Sequence, residues 1–368
     1  MKLAYFILYA LISGTSILNS TTHLPTLSAP TNYFLQSDPS TPTDASLPNF
    51  GLNKNYTWQT VLENLQPNQK LFFIQRHGDA YHNIAPSLFS PTDWNCYWQF
   101  QPGDGNITWE DAELTPTGQE EIRSLSTQIQ NTTDFPEVEV YYVSPLRRTL
   151  ETWDLTWRNH TDKIPTIKEL SRETYGLDTE SERHSESYIS ENYPGFDFES
   201  GFSEEDVLWT PNVRENSQHR NFRAATLLTD IFRSNNGTNV ISIVSHANLI
   251  SSILQVVGHR SWSLATGGMI PVVIGINDVY MDYELNQRWL DYSDLCSNSK
   301  FTKTMTFTTG RTNFPDVTTT IEAGLSTLGS TNTSETSSES HSTKTNTANY
   351  GLKGASFNGL LLVLLLFI

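Results

Sequence analysis

Three strand-like segments, each followed by a segment of helical character, constrain the fold of this chain more than any other feature. The strand-like segments are residues 71–75 (LFFIQ), 137–143 (EVEVYYV) and 239–244 (NVISIV). Helices are predicted at 118–130, 146–157, 214–233 and 249–257. Continuous apolar runs are typical of strands buried on both faces. Their alternation with helices predicts an α/β fold, a three-layer α/β/α sandwich with a mainly parallel central sheet.

Polar residues stand at the point where each predicted strand ends. Arg76 and His77 follow the first strand, residues 144–148 (SPLRR) follow the second, and Ser245 and His246 follow the third. In open α/β sheets, ligands bind outside the carboxyl ends of the strands. The histidines and arginines are therefore expected to meet in one site.

The net charge makes this local concentration of cations informative. The 368 residues include 23 basic and 40 acidic ones, which gives a charge of −17. So acidic a chain is not expected to bind nucleic acid. Arginine neutralises phosphate oxygens with a fork of permanent donors, and neutral imidazole is a competent nucleophile. The constellation favours chemistry on a phosphate ester.

Six ordered stretches between residues 71 and 250 resemble one family. They are QRHGDAYHN, DAELTPTG, YVSPLRRTLETW, LSRETYGL, YPGFDFESGFSEEDVLWTPNVRE and IVSHANLI. Together they resemble the histidine phosphatase, or phosphoglycerate mutase-like, superfamily. The similarity is greater to a fungal and plant phosphoglycerate mutase-like (phosphomutase-like) subgroup than to the glycolytic enzymes.

The resemblance implies a role for each matching position. His77 would be the phosphorylated nucleophile, Glu173 the proton donor, and His246, protonated, a donor to the phosphate oxygens. The implied phosphate-binding residues are Arg76, Arg148, Asn83 and Arg183.

Some positions depart from the family pattern. In SRETYG the glutamate stands one residue nearer the glycine than in the NERHYG-like segment of glycolytic mutases, so Glu169 and Asp178 stay open as alternative acids. Asp178, Glu180 and Glu182 replace basic and cysteine residues of the subgroup, which indicates a different specificity. Ala247 occupies the position of the acid in the phytase branch, so the acid must come from elsewhere.

Several residues near these motifs are expected to have structural roles rather than roles in catalysis. Arg147 is expected in solvent or in a salt bridge, and His82 and His184 at the surface or behind the phosphate contacts. The aromatic residues of the insert after the first motif are interpreted as packing rather than as a pocket wall: Trp94, Tyr97, Trp98 and Phe100. Metal-type histidine–carboxylate spacing is absent, and no metal or cofactor is expected.

The two ends of the chain carry targeting patterns. Residues 1–18 read as a signal peptide, 19–49 as a Ser/Thr/Pro-rich linker, 50–302 as the catalytic domain and 303–346 as a Ser/Thr-rich stalk. Residues 347–368 read as a glycosylphosphatidylinositol (GPI) anchor signal, with attachment at Asn346 or alternatively Asn349. An uncleaved tail anchor is the other interpretation of the terminal apolar segment.

Cysteines and glycosylation sequons agree with an extracellular location. Cys96 and Cys296 are the only cysteines and are expected to form a disulfide, with two free buried thiols as the alternative. N-glycosylation sequons occur at Asn55, Asn106, Asn131, Asn159, Asn236 and Asn332.

These observations predict a secreted, GPI-anchored phosphomonoesterase that acts on small phosphate esters through a phosphohistidine, at a cell membrane or wall. The alternatives are a catalytically weak surface protein that uses the fold as a scaffold, a binder of phosphorylated ligands, and, less favoured, a phosphomutase. The oligomeric state stays open.

Overall fold

The computed structural model describes residues 21–296, 305–307 and 317–319. Its strands are β1 Thr21–Ser28, β2 Gln69–Arg76, β3 Val140–Val143, β4 Thr166–Ile167, β5 Asp197–Phe198, β6 Val213–Arg214, β7 Val240–Ser245, β8 Met269–Glu284, β9 Leu290–Asp291, β10 Met305–Phe307 and β11 Val317–Thr319. Its α-helices are α1 Trp58–Glu63, α2 Tyr81–Ile84, α3 Pro91–Cys96, α4 Pro116–Asn131, α5 Arg147–Trp157, α6 Glu186–Asn192, α7 Ser217–Ser234, α8 Ala247–Val256 and α9 Tyr292–Cys296. Short 3-10 helices lie at Leu35–Ser37, Pro48–Gly51, Ala85–Leu88, Trp98–Phe100, Glu169–Ser171 and Thr179–Ser181.

Seven of these strands form the central sheet, in the order β1-β8-β2-β7-β3-β4-β5. The five strands from β2 to β5 in this order run parallel, whereas β8 pairs antiparallel with both β2 and β1. The predicted mainly parallel sheet is therefore confirmed, with an antiparallel pair of strands at one edge.

Helices cover both faces of the sheet because side chains of the buried strands alternate between two cores. Phe72 and Ile74 of β2 pack with residues of α7 and α8. Leu71 and Phe73 of the same strand pack on the other face with residues of α1, α4 and α5. This arrangement confirms the three-layer α/β/α fold.

The predicted helix at 214–233 begins later than expected. Val213 and Arg214 pair antiparallel with β9, so they are extended. The helix starts at Ser217, where the side chain of Asn216 accepts a hydrogen bond from the main-chain N–H of His219 at 2.8 Å. The first predicted helical residue, Arg214, therefore lies in a strand that borders the site.

The linker assigned to residues 19–49 needs correction from residue 21 onward. Residues 21–28 form β1 of the central sheet, and Leu24 and Leu27 are buried against it. Tyr33 and Phe34 join the second core. The main-chain pairing with β8 and these few apolar residues integrate a polar segment into the domain.

The other terminal predictions lie largely outside the described residues. These include the signal peptide at 1–18, the anchor signal at 347–368, Asn332, Asn346 and Asn349. Within the predicted stalk, 305–307 and 317–319 pair as antiparallel strands. Among the described residues, no helix combines the length and apolar character that crossing a membrane requires.

Candidate active site

The site begins where the parallel strands β2 and β7 end together. Arg76 is in register with Ser245, and the main-chain N–H of His77 donates to the carbonyl of Ser245 at 3.1 Å. His77 and His246 therefore leave the sheet side by side, with ring centroids 5.1 Å apart. The strand-end side chains meet at one edge, as expected from the sequence.

Two glycines allow the turn after His77 to pack against α4. A Cβ atom on Gly78 would lie 2.6 Å from the carbonyl oxygen of Gly118. A Cβ on Gly118 would lie 1.9 Å from the carbonyl oxygen of Asp79. Because real Cβ contacts are never this short, larger residues would displace the main chain beside His77.

The environment of His77 defines one tautomer. Its Nδ1 atom donates to the carbonyl oxygen of Gly78 at 2.7 Å, which leaves the lone pair on Nε2. Burial and the nearby charge of Arg148 hold the pKa of His77 well below its ordinary value. The imidazole is therefore neutral, and Nε2 is available for attack on an electrophile.

Arg148 and His246 are buried next to His77 and are hydrogen-bonded to each other. Nε of Arg148 donates to Nδ1 of His246 at 3.3 Å, so Nε2 of His246 carries its proton and donates to the hydroxyl of Ser144 at 2.8 Å. Burial, and then the charge of Arg148, lower the pKa of His246 strongly. His246, which was expected from the sequence to be protonated, is thus a neutral imidazole.

His82 is a site residue that the sequence interpretation placed too far away. It is only 8% exposed, and its ring centroid lies 5.2 Å from that of His77. The amide nitrogen of Asn83 donates to Nε2 of His82 at 3.1 Å, so the His82 proton lies on Nδ1. Burial, followed by the charge of Arg148, keeps the pKa of His82 well below its ordinary value, so this imidazole is neutral too.

Three N–H donors around His77 have no acceptor within the described part of the chain: Nε of Arg76, Nη2 of Arg148 and Nδ1 of His82. Buried donors rarely lack partners in folded proteins. Their convergence beside a neutral imidazole indicates a site built for an anion with several oxygen atoms.

These residues border a cavity of about 340 Å³. It is lined by Arg76, His77, His82, Asn83, Pro86, Trp94, Asn95, Gln99, Glu173, Asp178, Glu180, Arg214, Ala247 and Asn248. Arg148 and His246 are fully buried beneath this surface. The volume is sufficient for a small organic phosphate.

Three carboxyl groups contribute to the cavity wall. Glu173 lies beside Asn248 at the start of α8, and Asp178 forms an ion pair with Arg214 at 3.1 Å. Glu180 is the third, and burial and the charge of Asp178 raise its pKa to about 8 against the opposing effect of Arg148. Glu180 was noted in the sequence as a departure from the family pattern, whereas Arg214 lies in a two-residue strand whose pattern gave no signal of a site.

Arg183 does not reach this cavity, in contrast to the prediction that it binds substrate. Its guanidinium pairs with Glu169 at 2.9 Å and donates to the carbonyls of Ser203 and Glu205. Glu169 also pairs with Arg172 at 2.8 Å. These contacts satisfy Glu169 and Arg183 inside the domain, so neither faces a ligand.

Other neighbours follow the sequence interpretation more closely. Arg147 forms an ion pair with Glu113 and donates to the hydroxyl of Tyr193 at 3.0 Å, which confirms its salt-bridge role. His184 hydrogen-bonds to Asp111 at 2.7 Å and takes no part in the cavity lining.

The aromatic segment that follows the first motif, around Trp94 and Trp98, both packs internally and contributes to the cavity wall. Trp98 packs on Phe89 with ring centroids 4.5 Å apart, as expected for a packed cluster. Trp94, however, also lines the cavity, so the interpretation as packing alone is incomplete. A disulfide joins Cys96 at the end of α3 to Cys296 at the end of α9, with Cα atoms 5.5 Å apart. It holds this wall against the end of the described domain.

The sequon asparagines within the described domain are all exposed: Asn55, Asn106, Asn131, Asn159 and Asn236. Each is accessible to a bulky modification. Asn131 is the last residue of α4, and Asn159 and Asn236 lie between the end of a helix and the next strand, so all three are at the edge of the sheet remote from His77.

Comparison with known proteins places this site in a family. The model of the histidine phosphatase superfamily (branch 1) matches residues 91–267, which include Arg148, Glu173 and His246 and follow Arg76 and His77. Phosphomutase-like protein 3 of Candida albicans is 50% identical over 281 residues, which cover 76% of this chain and 89% of the relative. The chain belongs to the histidine phosphatase superfamily.

Two further proteins are similar to this chain. An Arthroderma benhamiae protein named "Probable phosphoglycerate mutase" is 41% identical over 215 residues, or 56% of this chain and 63% of the relative. A solved phosphoglycerate mutase from Bacillus anthracis aligns with 58% of this chain and 93% of its own, at 16% identity and a TM-score of 0.37.

Proposed function

We propose that the protein is a phosphomonoesterase that hydrolyses small phosphate esters through a phosphohistidine. The observation that carries this proposal is the set of three unpaired N–H donors, from Arg76, Arg148 and His82, around the neutral imidazole of His77. A phosphoryl group offers several oxygen acceptors to such donors, and its phosphorus atom can accept the lone pair of Nε2.

The chemistry has two steps. Nε2 of His77 forms a bond to phosphorus while the bond from phosphorus to the leaving oxygen breaks, and a carboxyl group of the cavity protonates that oxygen. The sequence assigns this proton to Glu173. Water then forms the new bond to phosphorus, the bond to Nε2 breaks, and the carboxylate takes a proton from the water. Arg76 and Arg148 balance the charge on the transferred oxygens throughout.

The charges of the cavity wall favour hydrolysis over a phosphoglycerate mutase reaction. Apart from the arginines next to His77, the lining has one cation, Arg214, and three carboxyl groups, Glu173, Asp178 and Glu180. Arg214 is already paired with Asp178. A phosphoglycerate would bring its own carboxylate to this wall, where the cation Arg214 is already engaged by Asp178, and this opposes its binding.

The proposed location is outside the cell, on a GPI anchor at the plasma membrane or wall. It is supported by the terminal patterns in the sequence, by the Cys96–Cys296 disulfide and by the exposure of the sequon asparagines in the described domain. Release of the protein from isolated cell membranes by a GPI-specific phospholipase tests the anchor, and retention in the membranes after treatment contradicts it.

Hydrolysis of 4-nitrophenyl phosphate by the purified protein tests the activity. Wild type is expected to release phosphate, and His77→Ala to lose roughly 10³-fold or more of the rate. His184→Ala, a histidine outside the cavity, is the matched control and is expected to keep the wild-type rate. Equal rates for wild type and His77→Ala would contradict the proposal, and phosphate binding without turnover would indicate a binder.

A further inference from the structure

The cavity leaves polar atoms of two opposite kinds without partners. Beside His77 they are donors, namely Nε of Arg76, Nη2 of Arg148 and Nδ1 of His82. At Asp178 they are acceptors, since neither carboxylate oxygen accepts a hydrogen bond from any described residue. Because buried polar atoms rarely lack partners, both sets point to a ligand. Such a ligand carries acceptor atoms at one end and donor atoms at the other.

Asp178 is the better defined of the acceptors. It is only 2% exposed, yet it lines the cavity. Its Oδ2 atom is 3.1 Å from Nη2 of Arg214, whereas Oδ1 has neither an ion pair nor a hydrogen bond in the part of the chain that the structure describes. A buried carboxylate oxygen without a donor is costly. An N–H or O–H group of a ligand would lower that cost.

Glu180 adds a second carboxyl group to the same part of the wall. It lines the cavity two residues after Asp178, and its main-chain carbonyl accepts from Nη1 of Arg148 at 3.0 Å. The pair of acids is therefore linked directly to an arginine of the phosphate end. A ligand that reaches both ends needs only a short spacer between its acceptor and donor groups.

The interaction between these two acids favours a charged donor over a neutral one. Burial and the charge of Asp178 raise the pKa of Glu180 to about 8, despite the opposing charges of Arg148 and Arg214. The local cations are thus too few to stabilise both carboxylates in their ionised form. A cation from the ligand would relieve this repulsion, whereas a hydroxyl group would not.

We propose that the substrates are phosphate monoesters of small amino alcohols, with a primary ammonium group close to the ester oxygen. This inference rests on the proposed phosphomonoesterase activity. The phosphate lies at Arg76, Arg148 and His82, and the ammonium donates to Asp178 and Glu180. Hydrolysis consumes one water, breaks the bond from phosphorus to the ester oxygen, and releases inorganic phosphate and the protonated amino alcohol.

Three esters of similar size and different charge test the substrate class. They are O-phosphoethanolamine with an ammonium group, 2-hydroxyethyl phosphate with a hydroxyl group, and phosphoglycolate with a carboxylate. Phosphate release by the wild-type protein is expected to give kcat/KM values that fall in this order, by roughly 10-fold or more from the first ester to the third. Equal values, or the reverse order, would contradict the inference.

Variants of the ion pair separate the wall from the intrinsic reactivity of the esters. Asp178→Asn removes an anion and releases Arg214, so the ratio of kcat/KM for phosphoethanolamine to that for phosphoglycolate is expected to fall by roughly 10-fold or more. Arg214→Gln releases Asp178 and should raise the ratio. Glu191→Gln, which changes the net charge equally at an exposed position outside the cavity lining, is the control.

The two variants are expected to change the ratio in opposite directions, so Arg214→Gln keeps the inference testable if Asp178→Asn does not fold. An unchanged ratio in the folded variants would overturn it.

The outcomes also separate this inference from the proposed function. Hydrolysis of 4-nitrophenyl phosphate together with a preference for 2-hydroxyethyl phosphate or phosphoglycolate would overturn the amino-alcohol class and leave the phosphatase intact. Failure of the wild-type protein to hydrolyse any of the four esters would overturn the proposed function and, with it, the substrate class.

Discussion

Nδ1 of His77 lies 2.7 Å from the carbonyl oxygen of Gly78, and this hydrogen bond determines which nitrogen of His77 can react. The bond uses the proton on Nδ1 and leaves Nε2 with a lone pair. The packing of Gly78 against Gly118 fixes the carbonyl that receives the proton. A short turn after a buried strand thereby orients the proposed nucleophile.

The first prediction concerns the two adjacent arginines. Arg148→Lys keeps the charge but removes the unpaired Nη2 donor, so KM for a phosphate ester is expected to rise by about 10- to 100-fold. Arg147→Lys is the matched control, because Arg147 contacts Glu113 and Tyr193 outside the cavity. Steady-state kinetics and inhibition by inorganic phosphate measure the effect. Equal changes in the two variants would contradict the assignment of Arg148.

The second prediction concerns the glycine of α4. Gly118→Ala would gain up to about 1 kcal/mol of helix propensity. The added Cβ would lie 1.9 Å from the carbonyl oxygen of Asp79, and overpacking of this kind costs about 1–3 kcal/mol. We expect a net loss of unfolding free energy and a lower kcat, since the turn at His77 must shift. Thr117→Ala, at an exposed position in the same helical turn, should change neither, and a neutral Gly118→Ala would contradict the account of this packing.

The third prediction concerns the disulfide between α3 and α9. Replacing both Cys96 and Cys296 by serine is expected to lower the unfolding free energy by about 2–5 kcal/mol. It should also raise KM several-fold, because Trp94 and Asn95 of α3 line the cavity. Thermal unfolding and kinetics on the variant measure both effects. An unchanged KM together with a lower Tm would show that the wall is held without the disulfide.

The fourth prediction concerns acid stability. Burial raises the pKa of Glu215, but the charge of Arg223 and the hydrogen bond from His219 lower it more, to about 2. Since the folded pKa lies below the unfolded one, this contribution is complete above about pH 4.3 and is lost as pH falls towards 2. Urea unfolding between pH 7 and pH 3 should therefore show falling stability.

A pair of variants tests the same interaction at neutral pH. Glu215→Gln leaves Arg223 as an uncompensated buried charge and is expected to cost about 3–5 kcal/mol. Asp154→Asn breaks the exposed ion pair with Arg158 and should cost less than about 1 kcal/mol. Similar losses in both variants would contradict the importance of burial.

The sequence predicted a strand correctly where the residues of that strand themselves form an apolar run. The segments that became β2 and β7 are continuous apolar runs, so their ends, with Arg76, His77 and His246, could be predicted together. β1 could not be predicted, because its polar composition is compensated by long-range pairing with β8. Thr21 and Glu284 are paired although 263 positions separate them in sequence, and no local pattern encodes such a contact.

The lack of a local sequence pattern also explains which residues of the site were missed or wrongly predicted. Glu180 lies within the three-residue 3-10 helix Thr179–Ser181, and Arg214 lies in a two-residue strand. Neither segment has a periodicity that would place its side chains. Arg183 was predicted to contact substrate from its position in a motif. Its guanidinium instead pairs with Glu169, 14 residues earlier, inside the domain. The order of the motifs predicted the cluster around His77, whereas the residues of the outer wall come from segments that are brought together only by the fold.

Trapping of the phosphorylated enzyme tests the central claim most directly. The protein is quenched in alkali during turnover of a phosphate ester, digested, and analysed by mass spectrometry for a peptide that carries one phosphoryl group. The account predicts this group on His77 in wild type and its absence in His77→Ala. A phosphoryl group on another residue, or full turnover by His77→Ala, would contradict it.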